Sequence, residues 1–198
     1  KTRLAIAAAQ SRDRGGARFV DLTVVEHPER LAESVAAALG LADDGTTDAF
    51  ERLVRYLRGD DPPLLVLDNC EHVSGQCAAL LAKLLPACPR LRVLATSRQP
   101  LRLSGEAVHP VAPLAPADAA RLFVDLVLDH TGVPVPADQL PLVTALCRDL
   151  DGLPLAIELA AARATALSVP DIAARLSDRF ALLRSTRGLA VPRDTRAA

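Results

Sequence analysis

The first part of the chain alternates short apolar runs with segments in which apolar residues recur every three or four positions. This pattern predicts helices over 1–10, 28–39, 47–57 and 75–85, and strands over 18–25, 64–68, 91–98 and, more weakly, 106–111. The segment "LLVLD" (64–68) has no polar residue before Asp68, which is typical of a strand in the middle of a parallel sheet covered by helices. Strands that alternate with amphipathic helices predict an α/β fold with a parallel sheet.

After "PLAP" (113–116) the pattern changes, and helices alone are expected over 117–130, 137–150, 154–166 and 170–183. For the last of these, Ser168 and Asp171 form a capping-box pattern around Pro170. The final residues have no apolar period. We therefore expect an α/β core over 1–115, an all-helical subdomain over 116–184 and a linker over 185–198.

Composition narrows the class of protein. Half of the residues are apolar but only 3% are aromatic, so the core must consist mainly of Leu, Val and Ala. The net charge is −1 and no basic stripe is present, so these residues are not expected to contact nucleic acid directly. No apolar stretch reaches 18 residues and no leader is visible, so we expect neither membrane insertion nor secretion.

The four cysteines show no CxxC spacing, which indicates free thiols in a reducing, cytoplasmic setting. A zinc site formed by Cys70 and His72 would lack two further ligands at a recognisable spacing. The sequence contains no Met, even at position 1, so we expect it to be a piece of a longer protein.

Polar clusters follow two consecutive predicted strands, Asp68-Asn69 after the first and Thr96-Ser97-Arg98 after the second. Ligands of open parallel sheets bind at the carboxyl ends of the strands. A carboxylate held by a dry strand suits a magnesium–phosphate site, and hydroxyls with a guanidinium suit a terminal phosphate. The alternative is that Asp68 and Ser97 only cap the following helices, but the two clusters together favour a ligand.

The chain opens with Lys1-Thr2 at the head of a predicted helix, and these would be the last two letters of a P-loop, GxxxxGK[ST]. Thr2 could equally be an ordinary N-cap. The ordered set "KTRLA", "FVDL", "LLVLDNCEH", "LRVLATSR" and "DGLPLAIELAAAR" closely resembles the NB-ARC-like ATPase module of STAND-class P-loop NTPases. The version most similar to it is found in large bacterial transcriptional regulators of the SARP and LuxR types.

The resemblance implies a P-loop NTPase core that binds ATP or ADP with Mg²⁺. Lys1 matches the Walker A lysine, Thr2 the magnesium-binding hydroxyl and Asp68 the Walker B aspartate, so Thr2 and Asp68 are the implied metal ligands. Asn69 and Ser97 lie within the matched motifs, and Arg98 matches the residue that senses the terminal phosphate. Pro154 and Leu155 belong to the "GLPLA" motif, whose proline packs near the adenine. From the residues alone, Leu153, Leu155 and Ile157 could instead be ordinary core.

Two departures from the family pattern matter. The glycine-rich loop and the strand that precedes it are absent from the sequence, so the fragment alone should bind nucleotide poorly and leave an unpaired sheet edge. In addition, Asn69 occupies the position at which many efficient ATPases carry a catalytic carboxylate. Glu71 is a weak candidate for that role. We therefore expect slow hydrolysis at most, which suits a switch whose states are held apart by bound nucleotide.

The leading hypothesis is a nucleotide-controlled switch from a signalling or transcriptional regulator. Its DNA-binding and sensor or repeat domains would lie outside this sequence, and assembly into homo-oligomers is compatible with the resemblance. One alternative is a degenerate interaction scaffold that binds no nucleotide. Another is an actively cycling ATPase in which Glu71 is catalytic.

Overall fold

A computed structural model describes residues 1–11, 16–43 and 45–176, and it confirms the α/β class with a helical part. The described chain divides into two compact units, Lys1–Pro110 and Val111 onward. The α-helices of the first unit are α1 (Thr2–Gln10), α2 (Leu31–Ala38), α3 (Ala49–Leu57) and α4 (Ser74–Ala87). Its strands are β1 (Ala17–Asp21), β2 (Leu64–Asp68) and β3 (Val93–Ala95). The second unit contains α5 (Pro116–Thr131), α6 (Leu140–Asp149), α7 (Pro154–Ala161) and a further helix over 169–176.

The three strands form one parallel sheet in the order β1-β2-β3. In its register Asp21 lies beside Asp68, and Leu67 lies beside Ala95. Thr96, which follows Ala95, is therefore also brought to the level of Asp68. The carboxyl ends of all three strands meet at the same edge of the sheet, as a parallel arrangement requires.

Among the residues that the structure describes, the two faces of the sheet are covered unequally. Leu65 and Leu67 point into the main core, which includes buried residues of α2, α3 and α4. On the opposite face Val66 packs against only two buried residues of α1, Ala5 and Ala9. The helix turns its small alanines at i and i+4 to the sheet and leaves Leu4 and Ala8 exposed.

Several predicted boundaries also differ from the structure. The first strand ends at Asp21 rather than at 25, because the Asp21 carboxylate accepts the Thr23 N–H and starts a 3₁₀ turn over Leu22–Val24. The helix predicted over 75–85 continues through Pro86 to Ala87, since a proline in the last turn removes only one helical hydrogen bond.

The segment 106–111 forms no strand. Its first residue, Glu106, instead closes a loop by accepting the N–H groups of Leu101 (2.9 Å) and Leu103 (3.1 Å). The carboxylate thereby holds the chain in a turn, and a strand cannot begin there.

The second unit has its own core, in which Phe123 of α5, Val143 of α6 and Ile157 of α7 are fully buried. Between α6 and α7 the backbone of Gly152 has φ +62°, and its carbonyl accepts the N–H of Leu114 at 2.9 Å. The expected start of the last helix is confirmed, since the Ser168 hydroxyl bonds both the side chain and the N–H of Asp171. The rest of that helix and the predicted linker lie outside the described residues.

Candidate functional site

Asp68 lies at the centre of the polar edge of the sheet. It is only 2% exposed and is the one buried charged side chain among the residues described. Its Oδ2 accepts the hydroxyl of Thr2 at 2.7 Å and the side-chain amide of Asn69 at 3.0 Å, while its Oδ1 accepts the hydroxyl of Thr96. Donors from α1 and from the ends of β2 and β3 therefore offset the cost of burying this carboxylate.

Asn69 connects the ends of all three strands. Its N–H donates to the Thr96 hydroxyl at 3.0 Å, and its side-chain amide donates to Asp68 and, at 3.4 Å, to Asp21. The backbone of Asn69 has φ +61° and ψ 44°, a left-handed conformation that asparagine tolerates better than most residues. A carboxylate at this position would face two others, so the amide suits its surroundings.

Asp21 is a site residue that the sequence prediction missed. It is exposed at the end of β1, where its Oδ1 accepts the N–H (2.9 Å) and the hydroxyl (2.7 Å) of Thr23 and faces Asn69. The available signal was its position directly after an apolar run, the same signal that identified Asp68. These bonds, first the backbone N–H of Thr23 and then its hydroxyl, lower the pKa of Asp21 from its ordinary value of 3.8.

This arrangement predicts a pH dependence. Because the folded pKa of Asp21 is lowered, its contribution to stability is present above the unfolded pKa and is lost as the pH falls through the folded value. The side chain is exposed, so we expect a contribution below about 1 kcal/mol. In an NMR titration Thr23→Val should raise the pKa of Asp21 part of the way towards 3.8, since the backbone donor remains.

The matched control for this titration is Thr165→Val, which removes an exposed hydroxyl that donates to Ala162 in the second unit. This change should leave the titration of Asp21 unaltered. A native pKa of Asp21 at or above 3.8 would contradict the arrangement.

Lys1 and Thr2 are brought to the same edge by α1. Lys1 is the N-cap of this helix, which corrects the alternative that Thr2 caps it, and its Nζ donates to the carbonyl oxygen of Ser97. The hydroxyl of Ser97 instead accepts the N–H of Gln99 at 3.3 Å. The main-chain carbonyl of Ser97 therefore binds Lys1. The hydroxyl directed at Asp68 belongs to Thr96, a residue to which the family resemblance assigns no role.

Glu71 and Arg98 form an ion pair beside this cluster, with 3.1 Å between Arg98 Nε and Glu71 Oε1. Their exposure is unequal: the side chain of Glu71 is 16% exposed and that of Arg98 is 81% exposed. Glu71 lies in the 3₁₀ turn Cys70–His72 that directly follows Asn69. The carboxylate considered for catalysis is thus bound to the guanidinium considered for phosphate sensing.

Cys70 and His72 belong to the same turn but have different surroundings. Cys70 is fully buried, and the neighbouring Cys77 thiol together with burial raises its pKa. His72 is exposed. Within the described ranges, no group of three or more His, Cys, Asp and Glu side chains is placed to hold a metal ion.

Pro154 and Leu155 belong to the second unit. Pro154 is the first residue of α7, and both side chains are exposed within their unit. The core interpretation of this motif holds for Ile157, which is fully buried, but is wrong for Leu153 and Leu155, which are 48% and 68% exposed. The side chains of Leu153 and Leu155 therefore lie at the surface of this unit, and only that of Ile157 belongs to its core.

Comparisons with known proteins give relatives in mycobacteria. A protein of Mycobacterium tuberculosis named "Putative HTH-type transcriptional regulator" is 42% identical over 186 residues, and a Mycobacterium bovis protein of the same description matches equally well. These matches cover 92% of this chain, but the chain spans only 21% of the regulators' length. An uncharacterized M. tuberculosis protein is 43% identical over 173 residues, which is 86% of this chain and 44% of that protein.

No family model matches the chain. The relatives nevertheless connect it to proteins named as transcriptional regulators. In the described parts of the chain, none of the helices has the length and apolar character needed to cross a bilayer.

Proposed function

We propose that this chain is the ATP- or ADP-binding part of a bacterial transcriptional regulator and acts as a nucleotide-controlled switch. The observation that carries the proposal is the 2.7 Å hydrogen bond between Thr2 and the buried Asp68 at the carboxyl edge of a parallel sheet. The bond joins the hydroxyl of the Lys1-Thr2 helix start to the aspartate that ends an apolar strand, and a P-loop site would use such a hydroxyl to hold Mg²⁺.

The donor set fits magnesium. Mg²⁺ prefers oxygen ligands, takes one or two carboxylates from a protein and retains several waters. Thr2 and Asp68 provide a hydroxyl and a carboxylate oxygen side by side, and they are the residues that would hold the ion. Bound there, the ion would neutralise part of the charge of the nucleotide phosphates. Thr96 and Asn69 would keep the Asp68 carboxylate in place.

Lys1 and Arg98 supply the positive charge. Lys1 is exposed and its Nζ is bound to a neutral carbonyl oxygen, a weaker partner than a phosphate oxygen. Arg98 directly follows Ser97, the residue whose carbonyl oxygen accepts the hydrogen bond from Lys1. Lys1 can therefore turn to a phosphate and leave only a neutral carbonyl oxygen behind, whereas Arg98 must first leave Glu71.

The site is better suited to a switch than to rapid turnover. The Asn69 amide donates to two carboxylates and cannot act as a general base. Glu71 is engaged by Arg98. Hydrolysis is therefore expected to be slow at most, and the two states would be separated by the identity of the bound nucleotide.

Other regions of the longer protein would carry out the regulatory function, DNA binding, in the cytoplasm. The mycobacterial relatives are named as HTH-type regulators and extend well beyond the region shared with this chain. We place DNA binding, together with sensor or repeat domains, in those outlying regions. A net charge of −1 supports the view that this chain itself makes no direct contact with nucleic acid.

Calorimetric titration with ADP and Mg-ATP tests the proposal. We expect weak or no binding by the 198-residue chain and clear binding by a version extended upstream by about 25 residues, enough for a strand and a loop. In the extended version Lys1→Ala should weaken Mg-ATP binding at least about tenfold, as expected for loss of a charge-assisted phosphate contact. Lys83→Ala is the matched control, since Lys83 is the other lysine and is exposed on α4.

Absence of binding in both versions would contradict the switch and favour an interaction scaffold. One observation supports that second candidate: Leu155 and Leu159 are 68% and 64% exposed on the same face of α7. Apolar side chains grouped at a surface are typical of contact with another protein. In that case Leu155→Ser and Leu159→Ser should abolish partner binding while nucleotide has no effect.

A further inference from the structure

We propose that Glu71 lowers the affinity of this site for ATP relative to ADP by competing with the third phosphate for Arg98. The inference rests on the proposed nucleotide-binding function and assigns Glu71 a role in specificity in place of a catalytic one. It starts from the ion pair between Arg98 Nε and Glu71 Oε1, at 3.1 Å, beside the Asp68 cluster.

The two partners differ in their freedom to move. Glu71 is 16% exposed and lies in a turn that is fixed at both ends, because the N–H of Cys70 donates to the carbonyl of Thr96 at 2.9 Å and the N–H of Val73 donates to the carbonyl of Cys70. Arg98 is 81% exposed and carries a long side chain. Glu71 is therefore the fixed partner, and Arg98 is the one that can exchange between acceptors.

The exchange depends on the ligand. A terminal phosphate carries more negative charge than a carboxylate and accepts a guanidinium through two oxygens, so it is the stronger acceptor once it is within reach. Mg-ATP presents this group, and binding it requires the Glu71–Arg98 pair to be broken. ADP lacks the third phosphate and leaves the pair intact.

Only the binding of ATP is therefore opposed by the ion pair. The cost lowers the affinity for ATP and leaves that for ADP unchanged, so removal of the pair should shift the ratio of the two affinities towards ATP. When ATP binds, Arg98 moves from Glu71 to the third phosphate. The turn Cys70–His72 therefore loses its ion pair only in the ATP-bound state.

The test measures dissociation constants for Mg-ATP and Mg-ADP in the upstream-extended chain. Glu71→Gln should tighten Mg-ATP binding about threefold to fivefold, the range for a pair with one exposed partner, and change Mg-ADP binding less than about twofold. Arg98→Ala should weaken Mg-ATP binding, and Glu71→Gln added to Arg98→Ala should have no further effect. Glu33→Gln is the matched control, because Glu33 forms a remote exposed pair with Arg30.

The outcomes separate this inference from the function on which it rests. If the native extended chain binds neither nucleotide, the proposed function fails and this role with it. If it binds both and Glu71→Gln leaves the ATP-to-ADP ratio unchanged, the role of Glu71 alone is overturned. Loss of ATP turnover in Glu71→Gln with unchanged affinities would also overturn it and would make Glu71 the catalytic carboxylate. Glu71→Gln keeps the size of the side chain, and unchanged Mg-ADP binding by this variant shows that it is folded.

Discussion

Gly152→Ala is expected to lower the free energy of unfolding by about 3 kcal/mol, the largest stability effect that we predict for a single methyl group. The backbone of Gly152 has φ +62°, and a Cβ there would lie 2.6 Å from the carbonyl oxygen of Leu114. Relief of this clash would move the main chain and strain the hydrogen bond from the Leu114 N–H to the Gly152 carbonyl. Urea unfolding followed by helical circular dichroism measures the change.

Gly132→Ala is the matched control for that experiment. Gly132 also has a positive φ, +70°, but no atom lies within 4 Å of a Cβ built on it. Its substitution should cost only the backbone penalty of about 1 kcal/mol. Equal effects of the two substitutions would show that the contact with Leu114 contributes nothing, and the strain would then be a property of φ alone.

Asp68→Asn is expected to abolish the dependence of ATP binding on magnesium in the upstream-extended chain. The substitution keeps the size of the side chain but removes the charge that would attract the cation, so Mg-ATP affinity should fall at least about tenfold. Binding of ATP in the presence of a chelator should change much less. Calorimetric titration with and without magnesium gives both values.

The control for this change is Asp60→Asn, which neutralises an exposed aspartate paired with Arg90 away from the strand ends. Its binding of Mg-ATP should equal that of the native chain. A full magnesium effect in Asp68→Asn would show that the ion is held elsewhere, and the assignment of Thr2 and Asp68 as its ligands would be wrong.

The sequence predicted those parts of the fold in which burial is uniform. β2 was predicted with its exact bounds because Leu65, Val66 and Leu67 are all buried and leave no ambiguity of face. β3 was predicted to span 91–98 but covers only Val93–Ala95. The main chain of Thr96 still donates to Leu67 and accepts from Cys70, and the chain leaves the sheet at Ser97, whose hydroxyl accepts the N–H of Gln99. Apolar periodicity carries no information about such a side-chain bond.

The sequence likewise predicted some residues of the site and not others. The order of motifs brought Lys1, Thr2, Asp68 and Asn69 together, and the structure places them at one edge of the sheet. Asp21 was missed because the strand is predicted over 18–25, which places this aspartate inside the strand and not at its end. The pairing of Glu71 with Arg98 was unpredictable, since the two residues lie at the ends of different strands and only the register brings them into contact.

The thin contact between α1 and the sheet has a consequence for how the site responds to ligand. The helix that carries Lys1 and Thr2 is attached to Val66 through Ala5 and Ala9, which bury little apolar area compared with the core on the opposite face. Local opening of α1 should therefore require less free energy than opening of β2, and amide hydrogens of the helix should exchange with solvent earlier. A ligand that bridges Thr2 and Asp68 binds only when α1 is packed against the sheet, so part of its binding free energy is used to hold the helix there. Ligand binding should therefore slow amide exchange in α1.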